Sequence, residues 1–188
     1  MTDNSSPSGF ELEEAGAYEE AAVAFARTGF KLLLNSEFKI GGKGTNEGID
    51  WLLNSISCDR RVGNHRRLEY IGKLCLPLLE DERDTTADEL DVGMVTELIG
   101  DVVLMLGTDA EMTASEYYDR AGEYFVDLDW RADLRTAEPL YDMGYRAIQH
   151  FSEFHDGPLP VNPETISFQE RLDRKREFAR QLREGDHQ

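Results

Sequence analysis

The residues with chemical potential fall into a few short constellations. "GGKGT" at Gly41–Thr45 invites comparison with a phosphate-binding loop. That loop needs Gly-Lys followed directly by Ser or Thr, and a strand before it. Here Gly44 separates Lys43 from Thr45 and no strand precedes them, so the stretch reads as a flexible glycine loop. A carboxylate-bridged metal pair would need Glu-x-x-His on two inward-facing helices. The match at Glu184 and His187 stands alone near the end of the sequence. Cys58, His65 and Cys75 have no zinc-ligand spacing and lack a fourth ligand, so both thiols read as packing residues in a reducing compartment. No Gly-x-Ser-x-Gly elbow supports a nucleophilic triad. Glu97 and Asp101, four apart, share a helix face beside an apolar stripe and read as part of a solvated face. These readings assign no catalytic residue, no cofactor and no metal, and predict a protein that is not an enzyme.

Two basic clusters stand out because the chain is otherwise acidic, with thirty-eight Asp and Glu against twenty Lys and Arg, a net charge of −18. "CDRRVGNHRR" places Arg60, Arg61, Arg66 and Arg67 in or beside one loop as a candidate anion site. Neutralisation by nearby acids, such as the run Glu80–Asp84, is the simpler reading. The last helix carries six basic residues between Arg171 and Arg183, on a face with Phe168, Leu172, Phe178 and Leu182. It is expected either to fold back as a cap or to act as a docking arm. A field of −18 repels nucleic acid and anionic lipid. Acidic residues spread along most of the chain, only five Lys and only two Cys resemble the proteins of halophilic archaea.

The elements that would position these groups are helical. Tyr18, Ala22, Phe25, Gly29 and Leu32 form a stripe at intervals of three or four, which predicts a helix over 10–35 opened by a Ser8/Glu11 capping box. A second helix is expected from an Asn46 cap, with Ile49, Leu52, Leu53 and Ile56 inward. A third runs over 65–82, kinked or ended by Pro77. A Thr86/Glu89 box opens a fourth, whose wide stripe from Leu90 to Leu106 makes it central and whose end is Gly107. Thr113 and Glu116 open a fifth, Thr136 a sixth, and Asn162–Pro163 a last helix to about 183. No period-two strand is apparent. The fold class is all-α, with six to seven helices in an antiparallel helical-repeat array or an irregular bundle. The expected organisation is a flexible stretch 1–9, a helical domain 10–155, a proline-rich linker 156–163, and a terminal amphipathic helix and tail 164–188. With no apolar run near ~20 residues and no signal-peptide pattern in "MTDNSSPSGFELEE", a cytoplasmic protein is expected.

Several segments resemble tetratricopeptide half-repeats. "GAYEEAAVAF" and "ASEYYDRA" carry the small–aromatic spacing of the second helix, at Gly16, Tyr18, Ala21 and Phe25 and at Ala114, Tyr118 and Ala121. "LEYIGKLC", "TELIGDVVLMLG" and "LYDMGYRA" carry the apolar–Gly pair of the first helix, at Ile71–Gly72, Ile99–Gly100 and Met143–Gly144. The pairs recur at intervals of 28 and 44 residues instead of a fixed repeat of about 34, and the consensus Trp and closing Pro are missing. The chain is therefore similar to a divergent, SNAP-like tetratricopeptide array with longer helices. The resemblance implies a non-enzymatic interaction module that takes a partner protein or peptide between its helices. Tyr18, Phe25, Tyr117, Tyr118, Tyr141 and Tyr145 are the candidate lining residues, and Arg120, Arg131, Arg135 and Arg146 could serve as inner-face cations. Two alternatives stay open. One is a nucleic-acid-associated regulator using the Arg60–Arg67 island and the basic last helix. The other is an enzyme with a site in the helical core near His150 or His155.

Overall fold

Every element of the computed structural model is an α-helix. The structure describes residues 7–37, 43–107, 113–126 and 168–185, and among these there is no strand. The helices are α1 (Gly9–Glu14), α2 (Tyr18–Asn35), α3 (Lys43–Arg61), α4 (His65–Thr85), α5 (Glu89–Leu106), α6 (Ala114–Phe125) and α7 (Phe168–Gly185). The predicted helix starting at Thr136, with Tyr141, Tyr145, His150 and His155, and the expected cap at Asn162 lie outside the described residues. The chain divides into two compact units, Met1–Ile71 and Gly72–Gln188, with the division falling inside α4.

In the first unit the Ser8/Glu11 box forms as expected. The Ser8 amide donates to Glu11 Oε2 at 2.7 Å and the Glu11 amide to Ser8 Oγ at 3.3 Å. The single helix expected over 10–35 is instead two. Gly16 takes a left-handed turn at φ 74° between α1 and α2, a conformation that only glycine adopts without strain. This break folds α1 back on α2, so that the Phe10, Phe25 and Trp51 rings meet at 5.0–5.7 Å between centroids. α2 and α3 cross at paired glycines: a Cβ on Gly29 would lie 2.8 Å from the Gly48 carbonyl oxygen. The buried Ser55 hydroxyl donates across the same interface to the Ala22 carbonyl at 2.8 Å. α3 begins at Lys43, earlier than the Asn46 start expected, so Lys43–Thr45 of the supposed glycine loop are helical. The close Gly29–Gly48 crossing outweighs the weak helix propensity of these glycines.

In the second unit α4 continues through Pro77 to Thr85 instead of ending there. α5 is capped by Asp88, not Thr86: the Asp88 carboxylate accepts from the amides of Leu90 at 2.9 Å and Asp91 at 3.3 Å. Both residues suit an N-cap, but Asp88 adds a charge that favours the helix N-terminus. α5 ends at Gly107 with φ 61°, and the Thr113/Glu116 box opens α6, both as expected. Buried residues run nearly all round α5, as its wide stripe predicts. α6 packs closely on it because Gly93 and Gly100 lack side chains: a Cβ on Gly100 would lie 2.7 Å from the Tyr118 ring, and one on Gly93 2.6 Å from that of Phe125. No described helix is long and apolar enough to cross a membrane.

Candidate functional site

Glu97 and Asp101 are the groups on which the structure departs furthest from expectation. They do not form a solvated face. Both are about 2 % exposed and sit one turn apart on the inner surface of α5. Placing two carboxylates in a helical core is unfavourable unless cations and hydrogen bonds meet them there. α7 supplies those partners. Arg171 donates from Nε to Glu97 Oε1 at 2.7 Å and from Nη2 to Glu97 Oε2, a bidentate fork. One turn on, Lys175 Nζ lies 2.6 Å from Glu97 Oε1 and 2.7 Å from Asp101 Oδ2. Tyr118 of α6 completes the group by donating its hydroxyl to Asp101 Oδ1 at 2.9 Å, with its ring 5.6 Å from the Lys175 ammonium. Two negative and two positive charges therefore close into a buried, neutral network.

The local sequence explains each position. The four-residue spacing of Glu97 and Asp101 matches that of Arg171 and Lys175, so both pairs project from one face of their helix. Gly100 lets the Tyr118 ring lie against α5, and that approach carries the phenol to Asp101. Around this centre α7 touches α6 through side chains. Gln169 Nε2 donates to the Gly122 carbonyl at 3.0 Å, Arg176 Nη2 to the Tyr118 carbonyl at 3.1 Å, and Arg176 Nε pairs with Asp119 at 2.7 Å. Leu172 and Ala179 are the apolar residues of α7 seen to be buried.

Burial and charge act differently on the two acids. Burial drives both carboxyls upward. At Glu97 the charges of Arg171 and Lys175 outweigh it and hold the group below the usual range. At Asp101 burial wins over the Lys175 charge, Glu97 adds repulsion, and the carboxyl is pushed up to about 6. Burial, with the Asp101 charge next to it, pushes the Tyr118 phenol well above its normal value, so it stays a donor. No group of three metal-ligating side chains occurs among the described residues. The arrangement matches α7 to α5 and α6 by charge and by helical spacing.

The arginine island divides on inspection. Arg67 forks onto the buried Asp59 carboxylate, with Nε at 2.8 and 2.7 Å from its two oxygens. The acid that neutralises Arg67 is thus Asp59, inside the island. Arg61 lies 3.9 Å above the Tyr18 ring. Arg60 is half-buried and Arg66 exposed. Of the lining candidates, Phe25 and Tyr118 are fully buried, Tyr117 is buried and Tyr18 half-buried, while Tyr141 and Tyr145 lie outside the described residues. Of this set, the structure brings Tyr117 and Tyr118 together against Gly100, and Tyr18 onto the cluster that holds Phe25. The Cys58 and Cys75 thiols are buried and free, and burial pushes each up to about 12. Sequence reasoning missed Glu97, Asp101, Arg171 and Lys175 as a set. The signal available was two matched i, i+4 pairs of opposite charge, one of them interrupting the most apolar helix.

Comparison with known protein families, characterised proteins and solved structures finds no match to this chain, so the role of the site is argued from its own geometry.

Proposed function

We propose that this protein is a non-enzymatic interaction module whose α5–α6 face receives a basic amphipathic helix. One observation carries the reading: a cationic helix, α7, is held on that face by Glu97, Asp101 and Tyr118 in a fully buried network. A surface that pairs two desolvated cations of a helix with carboxylates is a built receptor for one. The tetratricopeptide-like character belongs to the same proposal. It is supported by two helix pairs, α2–α3 and α5–α6, that approach through glycines, as repeat helices do. The acidic exterior supplies solubility and long-range selection for a basic partner, and adaptation to high salt in a cytoplasmic protein of a halophile accounts for its extent. The nucleic-acid alternative loses support, because Arg67 and Arg61 are engaged within the fold and Arg171 and Lys175 are buried.

The test is photo-crosslinking in a lysate of the source cells at molar salt. The full chain carries the crosslinker at Tyr124, exposed on α6, or as a control at Tyr70, exposed on α4. A protein captured from Tyr124 and not from Tyr70 supports the reading. Capture from both positions alike refutes it, as does capture from neither when the chain carries Arg171→Glu/Lys175→Glu, which removes α7 from the face.

A further inference from the structure

α7 has the properties of a ligand. Every described hydrogen bond that it makes to α5 and α6 comes from its side chains: Gln169, Arg171, Lys175 and Arg176. What the cleft reads is therefore a set of side chains at fixed helical positions. That set is Gln, then Arg two residues on, Leu three, Lys six and Arg seven. Among the described residues, the receptor half lies on α5 and α6. It consists of two carboxylates one turn apart, the Tyr118 hydroxyl, the Tyr118 and Gly122 carbonyls, and the bare surface of Gly122. A Cβ on Gly122 would stand 3.1 Å from Arg176 and 3.5 Å from Leu172. Nothing in this recognition depends on how the incoming helix is connected to the cleft.

Energetics point the same way. A buried ion network contributes little net stability beside an apolar contact of the same size, although it discriminates strongly against a mismatched helix. A helix joined covalently to its own cleft competes at an effective concentration on the order of 1 mM. An external helix with equal contacts therefore exchanges with it at accessible concentrations. We infer that α7 is a self-ligand: it occupies the α5–α6 cleft in competition with a partner's basic helix bearing cations at the same i, i+4 spacing, and so closes the site until it is displaced. This inference rests on the receptor reading of the α5–α6 face proposed above.

The experiment titrates a fluorescent peptide of residues 168–185 into the full chain, wild type and Arg171→Glu/Lys175→Glu, followed by anisotropy. Reversing both α7 charges expels that helix from the acidic cleft. The variant is expected to bind the peptide roughly 100-fold more tightly than wild type, the ratio set by a ~1 mM tether against a peptide affinity of ~10 μM. A peptide carrying the same two reversals binds neither chain. Equal binding by variant and wild type overturns the self-ligand and leaves the receptor reading standing. No binding by a variant that keeps its helical circular dichroism overturns both. Should the variant fail to fold, hydrogen exchange on the isotopically labelled wild-type chain decides the matter. Excess peptide should speed exchange in α7 while α5 and α6 stay protected, and unchanged exchange in α7 overturns the inference.

Discussion

Removing the charge of Glu97 tests the buried network most directly. Glu97 is met by the Arg171 fork and by Lys175 at 2.6 Å, with both cations almost completely buried. Glu97→Gln keeps the shape of the side chain and one oxygen acceptor. It leaves two cations facing one carboxylate, Asp101, in a site that was neutral. Breaking a buried pair from one side costs about 3–5 kcal/mol while the remaining charge stays desolvated. α7 leaves the cleft once that cost passes the roughly 2.7 kcal/mol that an occupancy of about 100-fold is worth, so the loss settles at about 2.7 kcal/mol. In a chain of this size that corresponds to a fall in Tm of roughly 5–11 °C. Circular dichroism melts and urea titrations measure it. The loss should be the same at ~0.1 M and ~1 M salt, since mobile ions cannot enter between atoms in contact. Glu177→Gln is the matched control. Its pair with Arg180 is half-exposed on the same helix, so its loss should stay within about 0.5 kcal/mol. Glu97→Leu combined with Arg171→Met removes charge from both sides and should recover to within about 1 kcal/mol of wild type. A Glu97→Gln loss under about 1 kcal/mol, or one that vanishes in molar salt, refutes the reasoning.

Three further outcomes are expected. Asp101 holds its proton up to about 6 in the fold, against 3.8 when unperturbed, so its contribution to stability is full below the lower value and lost as pH rises through the upper one. Glu97, held low, acts oppositely below the carboxylate range. Urea stability should therefore rise from pH 8 to pH 5, by about 1.4 kcal/mol from Asp101, and that part should be missing in Asp101→Asn; a variant with the full rise contradicts the assignment. Gly29→Ala gains about 1 kcal/mol of helix propensity, but its methyl meets the Gly48 carbonyl and Leu52 Cγ at 2.8 Å. Overpacking of about 1–3 kcal/mol should lower the urea midpoint, and an unchanged or raised midpoint would show that the α2–α3 crossing is looser than described. Cys58 and Cys75, both pushed up to about 12, should resist a thiol reagent at pH 8 in the native protein and both react in denaturant; fast native reaction of either contradicts its burial.

Much of the helical frame was legible in local chemistry. The Ser8/Glu11 and Thr113/Glu116 boxes, the Gly107 terminus and the inward Ile49, Leu52, Leu53 and Ile56 each depend on neighbours within a few residues. The errors at element ends are of the same local kind. Gly16 lies within an otherwise helical pattern, and only the packing of Phe10 on Phe25 and Trp51 favours a break there. Thr86 and Asp88 are both competent caps two residues apart. The buried network was hidden for a different reason. In a chain of thirty-eight acids, a carboxylate beside an apolar stripe has every appearance of the stripe's solvated edge. What makes Glu97 internal is Arg171, seventy-four residues later, and no local period carries that information. The island at Arg60–Arg67 misled in reverse: its own Asp59 is the buried partner of Arg67, so an apparent cluster of cations holds a pair that turns inward.

An apolar stripe would have attached α7 to α5 and α6 more strongly, so the choice of ions needs an explanation beyond stability. Apolar surfaces tolerate sliding, because one leucine in a hole is nearly as good as another. The network does not. Arg171 meets Glu97 and, one turn on, Lys175 bridges Glu97 and Asp101. Move the helix one turn, about 5.4 Å, so that Lys175 stands in the place of Arg171, and Ala179 comes opposite Asp101. A buried carboxylate then has lost its cation, at about 3–5 kcal/mol, while the apolar contact is little changed. The same penalty meets any foreign helix whose cations are spaced otherwise, and any helix whose acids face the cleft meets direct repulsion as well. A helix contact made this way is modest in net stability and strict in register.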